Sequence, residues 1–189
     1  MRYLLIGWLI FFGVGCSVTA KQPALHDFGL PVASSTTAPS MESYQDKSSI
    51  NVNAPTWLWD NRIRYRLLFT SPSQIRFYGL DRWIASPPEL LEQLLNVSCK
   101  VKDYAVIIRL HDFEQQFDTP DQARVVIRFS VEAYSTTNNK QKIGTQEFYL
   151  QQPTKTPDAA GAISGFTDLA QQAAKRIQDW LAGLADRRD

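Results

Sequence analysis

Tyr104-Ala105-Val106-Ile107-Ile108-Arg109-Leu110-His111 and the run from Ala123 to Tyr134, separated by Asp118-Thr119-Pro120-Asp121, decide the fold. The first run is apolar on both faces, as a strand at the centre of a sheet must be. The second puts Val125, Ile127, Phe129, Val131 and Ala133 on one face, with Arg124, Arg128, Ser130 and Glu132 on the other. The Pro- and Asp-containing stretch between them reads as a turn, and Thr137-Asn138-Asn139-Lys140 as the next. Lys142 to Leu150 then supplies a further strand.

Upstream, Arg62-Ile63-Arg64-Tyr65-Arg66-Leu67-Leu68-Phe69 alternates basic and apolar residues, the pattern of a strand with one wet face. Ser71-Pro72-Ser73 breaks it, and Gln74-Ile75-Arg76-Phe77-Tyr78 resumes, which predicts a hairpin. Ser86-Pro87-Pro88-Glu89 has the spacing of a capping box with Pro at the first helical position. Behind it Leu90, Leu91, Leu94 and Leu95 make one helical stripe. Thr156-Pro157-Asp158 opens a second, longer helix, in which Phe166, Leu169, Ala170, Ala173, Ala174, Ile177, Trp180, Leu181 and Leu184 keep 3-and-4 spacing. The expected architecture is α+β: a mostly antiparallel sheet covered by two helices, one domain over residues 50–185.

The 189 residues carry 20 Lys+Arg against 19 Asp+Glu, with 12% aromatics and two Cys. A charge of +1 gives no basic footprint for nucleic acid. Two Cys exclude a disulfide scaffold, and the apolar share excludes a disordered chain. Leu4 to Val14 is an uncharged apolar run behind Arg2, too short to cross a bilayer and suited to a secretory signal. Gly13-Val14-Gly15-Cys16-Ser17 resembles a bacterial lipobox, with Gly13 where Leu is usual. Residues 1–15 are therefore expected to be a lipoprotein signal peptide and Cys16 the lipidated first residue of the mature chain. An ordinary cleaved signal with a chance Cys is the alternative. By likeness to lipoprotein sorting in Gram-negative bacteria, Ser17 directs the product to the outer membrane. Residues 16–49, rich in Ser, Thr, Pro and Ala, read as a flexible tether spanning roughly 30 Å, with an edge strand expected at 26–31.

Chemistry-bearing patterns are sparse. His26 and His111 have no Cys or second His at metal-ligand spacing, and neither a phosphate loop nor a nucleophile elbow occurs. His111-Asp112 and Asp112…Glu114 read better as polar residues at a strand end than as acid–base pairs. No cofactor is expected beyond covalent lipid on Cys16, and nothing argues for an enzyme. Cys99, behind Leu94-Leu95-Asn96-Val97-Ser98, reads as a buried, inert thiol. The aromatic surplus is more informative: Trp57, Trp59, Tyr65, Phe69, Phe77, Tyr78 and Trp83 crowd one stretch. Core packing accounts for most of them, while Trp57 and Trp59, placed before a strand, could form an apolar contact patch.

The order of elements resembles the ABC-type transport auxiliary lipoprotein component family, which includes PqiC-like (YmbA) proteins. The resemblance rests on Phe28-Gly29-Leu30, on Trp57-Leu58 with Ile63-Arg64-Tyr65-Arg66, and on Asp81-Arg82-Trp83-Ile84-Ala85-Ser86-Pro87-Pro88-Glu89. Leu110-His111-Asp112-Phe113-Glu114 and Ile177-Gln178-Asp179-Trp180-Leu181 complete it. The stretch from Asn96 to Asp103 is shorter than the family usually has. The resemblance implies a periplasmic, outer-membrane lipoprotein serving an ABC transporter with a mammalian-cell-entry (MCE) domain subunit. Such systems move lipids or other hydrophobic molecules between the two membranes. Its partners would be that MCE subunit, the membrane through the lipid anchor, and further copies of itself; Trp57, Trp59, Arg82 and Trp83 are the partner or structural candidates. A lipid carrier with its own acyl pocket, or a structural envelope lipoprotein, are the other readings.

Overall fold

A 16-residue strand, Tyr104–Thr119, runs through the middle of the molecule and organises everything else. The computed structural model describes residues 21–29, 50–99, 101, 104–136 and 141–185. In chain order its elements are β1 (Ala24–His26), β2 (Ile50–Asn53), a 3-10 turn at Thr56–Leu58, β3 (Arg62–Leu67), β4 (Ser71–Trp83), α1 (Pro87–Ser98), β5 (Tyr104–Thr119), β6 (Gln122–Ser135), β7 (Lys142–Pro153) and α2 (Ala159–Ala185). The strands form one sheet in the order β1-β4-β3-β5-β6-β7, with β2 also paired to β5. Long antiparallel ladders join β5 to β6 and β6 to β7. Parallel pairings of three or four residues join β1 to β4, β2 to β5 and β3 to β5, so the sheet is mixed.

β5 serves two parallel neighbours on one edge: Val106–Arg109 pair with β2, and Gln115–Phe117 with β3. It does not end at His111. A register shift between Leu110 and Asp112 breaks the two-residue period, so Leu110 and Phe113, three apart, both reach the core. Asp112 and Glu114 are consequently mid-strand residues on the helix-free face, each held by arginine: Asp112 by Arg128 at 2.5 Å, Glu114 by the Arg66 fork at 2.9 and 3.0 Å. The β3–β4 turn also differs from expectation. It lies at 68–70, and Pro72 sits inside β4, where its carbonyl accepts from Arg66. Pro is tolerated there because β1 covers only Asp81–Trp83 of β4's outer edge, leaving position 72 without a ladder to break.

Both helices lie on one face. The capping box at α1 forms as read: Glu89 Oε2 accepts from the Ser86 backbone N–H at 2.9 Å, and the Ser86 hydrogen bonds hold the Glu89 carboxyl below its ordinary range. α1 buries Leu90, Leu91, Leu94 and Leu95. It also closes the free edge of β2: Asn96 exchanges two hydrogen bonds with the Ile50 backbone, at 3.0 and 3.3 Å, and Glu92 accepts from Val52 N–H at 2.7 Å. The helix side chains thus stand in for a missing strand. At α2, Asp158 caps the first turn by accepting from Gly161 N–H at 2.9 Å. The buried stripe from Phe166 to Leu184 packs on β6 and β7 as the spacing predicts. No helix among the described residues is long and apolar enough to cross a membrane.

α2 lies close against the sheet at Gly165, where a Cβ would stand 2.7 Å from Val125 Cγ2. Gly165→Val should therefore destabilise the domain by about 1–3 kcal/mol through overpacking. Gly183 has nothing within 4 Å of the equivalent point. Gly183→Ala should leave stability unchanged or raise it by up to about 1 kcal/mol through helix propensity. Denaturation midpoints of the two variants test the contrast.

Candidate functional site

The residues singled out by sequence fall into two environments at one end of the β3–β4 hairpin. Arg62 pairs with Arg82 in register, and Asn61 O accepts from Trp83 N–H at 2.8 Å, so the turn carrying Trp57 and Trp59 ends beside Arg82 and Trp83. From there the side chains diverge. Trp83 turns into the core and is 1% exposed, whereas Trp57 and Trp59 are 63% and 47% exposed. Arg82 is half-buried, between Leu25 of β1 and Arg62 of β3. Cys16 lies outside the described residues, as do residues 30–49 of the expected tether.

The Trp57–Trp59 turn is braced from beneath. Leu58, between the two indoles, is 2% exposed and anchors the turn in the core. Trp59 Nε1 donates to Ala54 O at 3.1 Å, and the Arg64 guanidinium donates to Trp57 O. Arg64 is itself buried, and that desolvation lowers its pKa from the usual guanidinium value, with Asp60 and Glu114 opposing. Arg62 stacks over Phe77, 3.7 Å from the ring centroid, and hydrogen-bonds Asp60, whose carboxyl it holds below the usual range. Two large indole faces are thus displayed on a backbone fixed at both ends. Rigid aromatic anchors of this kind lose little entropy on binding a partner.

Trp83 is the hub of a ring cluster that includes Phe28 at 5.3 Å, Phe113 at 6.0 Å and Phe166 at 5.9 Å between centroids. Phe113 and Phe166 stack at 4.0 Å. The cluster joins β4, β5 and α2 to the segment just after β1. β1 lies at Ala24–His26, slightly before the expected 26–31, and Gly29 takes a φ of +71°, which glycine adopts freely, with its N–H on Asp27 Oδ1. His26 Nε2 meets Asp81 Oδ1 at 2.9 Å and His111 meets Ser130 at 3.1 Å, so each imidazole has a local partner. Cys99 is buried with its thiol on Ala174 O, and burial pushes its pKa up to about 11. A thiol that resists ionisation is a poor nucleophile.

The surface that sequence reasoning missed lies on the other side of Trp83. Leu25 and Ile84 are 60% and 61% exposed and flank one open groove of about 400 Å³, which runs to Ile163 and Thr167 on α2. Ile84 N–H donates to His26 O at 2.8 Å, so the backbone that carries Ile84 is tied to β1. Apolar residues displayed on a rigid edge point to contact with something apolar.

No family model matches the chain, and no curated protein matches it in sequence. Solved structures do share its fold. A Xanthomonas campestris protein assigned to the family DUF330 superposes with a TM-score of 0.64 at 15% identity, over 74% of this chain and 84% of its own. An uncharacterized protein reaches 0.60 at 13% identity, over 85% and 99%. A candidate lipoprotein from Caulobacter crescentus CB15 reaches only 0.42 at 14% identity, over 72% and 92%, too loose to weigh. At these identities the likeness shows a shared fold.

Proposed function

We propose that this chain is a non-enzymatic, lipid-anchored periplasmic protein of the outer membrane that docks the MCE-domain subunit of an ABC transporter. The system would move lipids or other hydrophobic molecules between the two membranes. The observation that carries the reading is the fold held in common with the DUF330 protein. DUF330 groups the PqiC/YmbA-like proteins, the family that the residue series from Phe28 to Leu181 resembles independently of any superposition. Fold alone would not assign function; the lipobox-like Cys16 and the ordered series supply the rest.

Within this reading the braced turn is the docking element, with Trp57 and Trp59 as its anchors. A buried interfacial Trp typically contributes 2 kcal/mol or more to binding. Trp57→Ala with Trp59→Ala should therefore weaken capture of the partner about 30-fold or more, with only a small fall in melting temperature, because both side chains are exposed and the one bond lost is Trp59 Nε1 to Ala54 O. Affinity capture of the full chain from its own membranes should recover an MCE protein. Recovery of unrelated proteins alone would refute the assignment. Native mass spectrometry of the same preparation adds a second check, since lipid retained by the isolated chain would mark it as a carrier instead.

A further inference from the structure

β1 lies close in sequence to the proposed anchor. Seven residues, 17–23, separate Cys16 from Ala24, the first residue of β1. Even fully extended they span less than about 30 Å. β1 is not free to wander from the body of the domain, because it pairs with β4, His26 binds Asp81, and Phe28 is buried against Trp83 and Phe113. An anchor at Cys16 therefore holds one particular corner near the bilayer, not the domain at large.

That corner is where the exposed aliphatic pair stands. Leu25 and Ile84 flank the groove that continues to Ile163 and Thr167, and exposed Lys21 precedes them on the connecting segment, placed to meet an anionic headgroup. Asp27, at the groove's rim, is engaged locally by Gly29 N–H. We propose that this β1 corner rests on the membrane, with Leu25 and Ile84 entering the headgroup region of the bilayer. The proposal builds on the lipid anchor of the preceding section. Two aliphatic side chains are too few to bind a bilayer unaided. Tethered within a short reach of it they meet a high effective concentration of lipid, and a weak contact becomes a populated one. The sheet is then set edge-on: β1 is its membrane edge, and β7, five strand spacings away, lies on the order of 24 Å further out.

The test uses the acylated full chain reconstituted in phosphatidylethanolamine/phosphatidylglycerol vesicles. Nitroxide labels are placed singly at Leu25→Cys, Ile84→Cys and, on the exposed far edge, Tyr149→Cys. These sites are exposed, so labelling leaves the core intact, and Cys99 is too buried to react. On vesicles, the labels at 25 and 84 should show a several-fold higher ratio of oxygen to nickel-chelate accessibility than in detergent-free solution of the unacylated mature chain carrying Cys16→Ser, which has no Cys16 thiol to take up label. The label at 149 should show the same ratio in both states. Labels at 25 and 84 as open to the nickel chelate as the one at 149, on chain that floats with the vesicles, would overturn the membrane-resting corner while leaving the anchor intact. Chain that fails to float would overturn the anchor itself, and the corner with it.

Discussion

Cys16→Ser should abolish anchoring in the outer membrane. Thioether acylation needs the Cys16 thiol, and a serine hydroxyl does not replace it in that reaction. Lipid chains anchor through burial of methylenes at about 0.8 kcal/mol each, and two or more chains hold stably where one is marginal. Nothing among the described residues substitutes for them: no helix there is apolar enough to span, and Leu25 and Ile84 are only two side chains. The variant is therefore expected either uncleaved at the inner membrane or soluble in the periplasm, read by fractionation and by the mass of the mature chain. Mature Cys16→Ser protein recovered in the outer membrane would show that the anchor lies elsewhere.

How far the fold was legible follows from where local pattern and tertiary pairing agree. β6 reads directly because Val125, Ile127, Phe129, Val131 and Ala133 keep a two-residue period between two antiparallel neighbours, with buried Val126 the one apolar departure in that span. α1 and α2 read directly because capping and periodicity coincide, at Ser86–Glu89 and at Asp158. β5 was legible only to His111. The bulge there displaces Phe113 by one position, and beyond it the alternation resumes out of phase. The hairpin turn was misplaced for a related reason: Pro72 looks like a breaker, and only knowledge of which edge β1 leaves free shows that a proline can stand there. The parallel pairings escaped altogether. β1 and β2 are three and four residues long and pair with strands about 55 residues away, a distance at which no local signal exists.

The candidate site was legible in the same uneven way. Trp57 and Trp59 stood out as large apolar residues before a strand, but their exposure is decided by Leu58 turning inward and by Arg64 reaching the Trp57 carbonyl. Ile84 was not singled out, because nothing local marks where β4 ends. Its exposure follows from the two-residue strand period: Trp83, the last residue of β4, turns into the core, so the next side chain points away from it.

Trp83→Ala should be the most damaging single change in the folded domain. The indole is 1% exposed and touches rings from three other parts of the chain, Phe28, Phe113 and Phe166, so its removal leaves a cavity that no one neighbour can fill. Truncation of a buried Trp costs about 3–5 kcal/mol, against a total stability of about 5–15 kcal/mol for a domain. For a domain of this size that corresponds to a fall in melting temperature of roughly 10 °C. Trp83→Phe keeps a ring in the cluster and should cost less than half as much. Loss of partner capture is expected to accompany the melting change: the indole packs the end of β4 in place, and the backbone of that strand end, bonded to Asn61 O, carries the turn that displays Trp57 and Trp59. Calorimetry of the isolated variants decides between a packing role and a contact role. If Trp83→Ala melts with the wild type while capture fails, Trp83 acts at the interface, and the ring cluster is held by Phe113 and Phe166 without it.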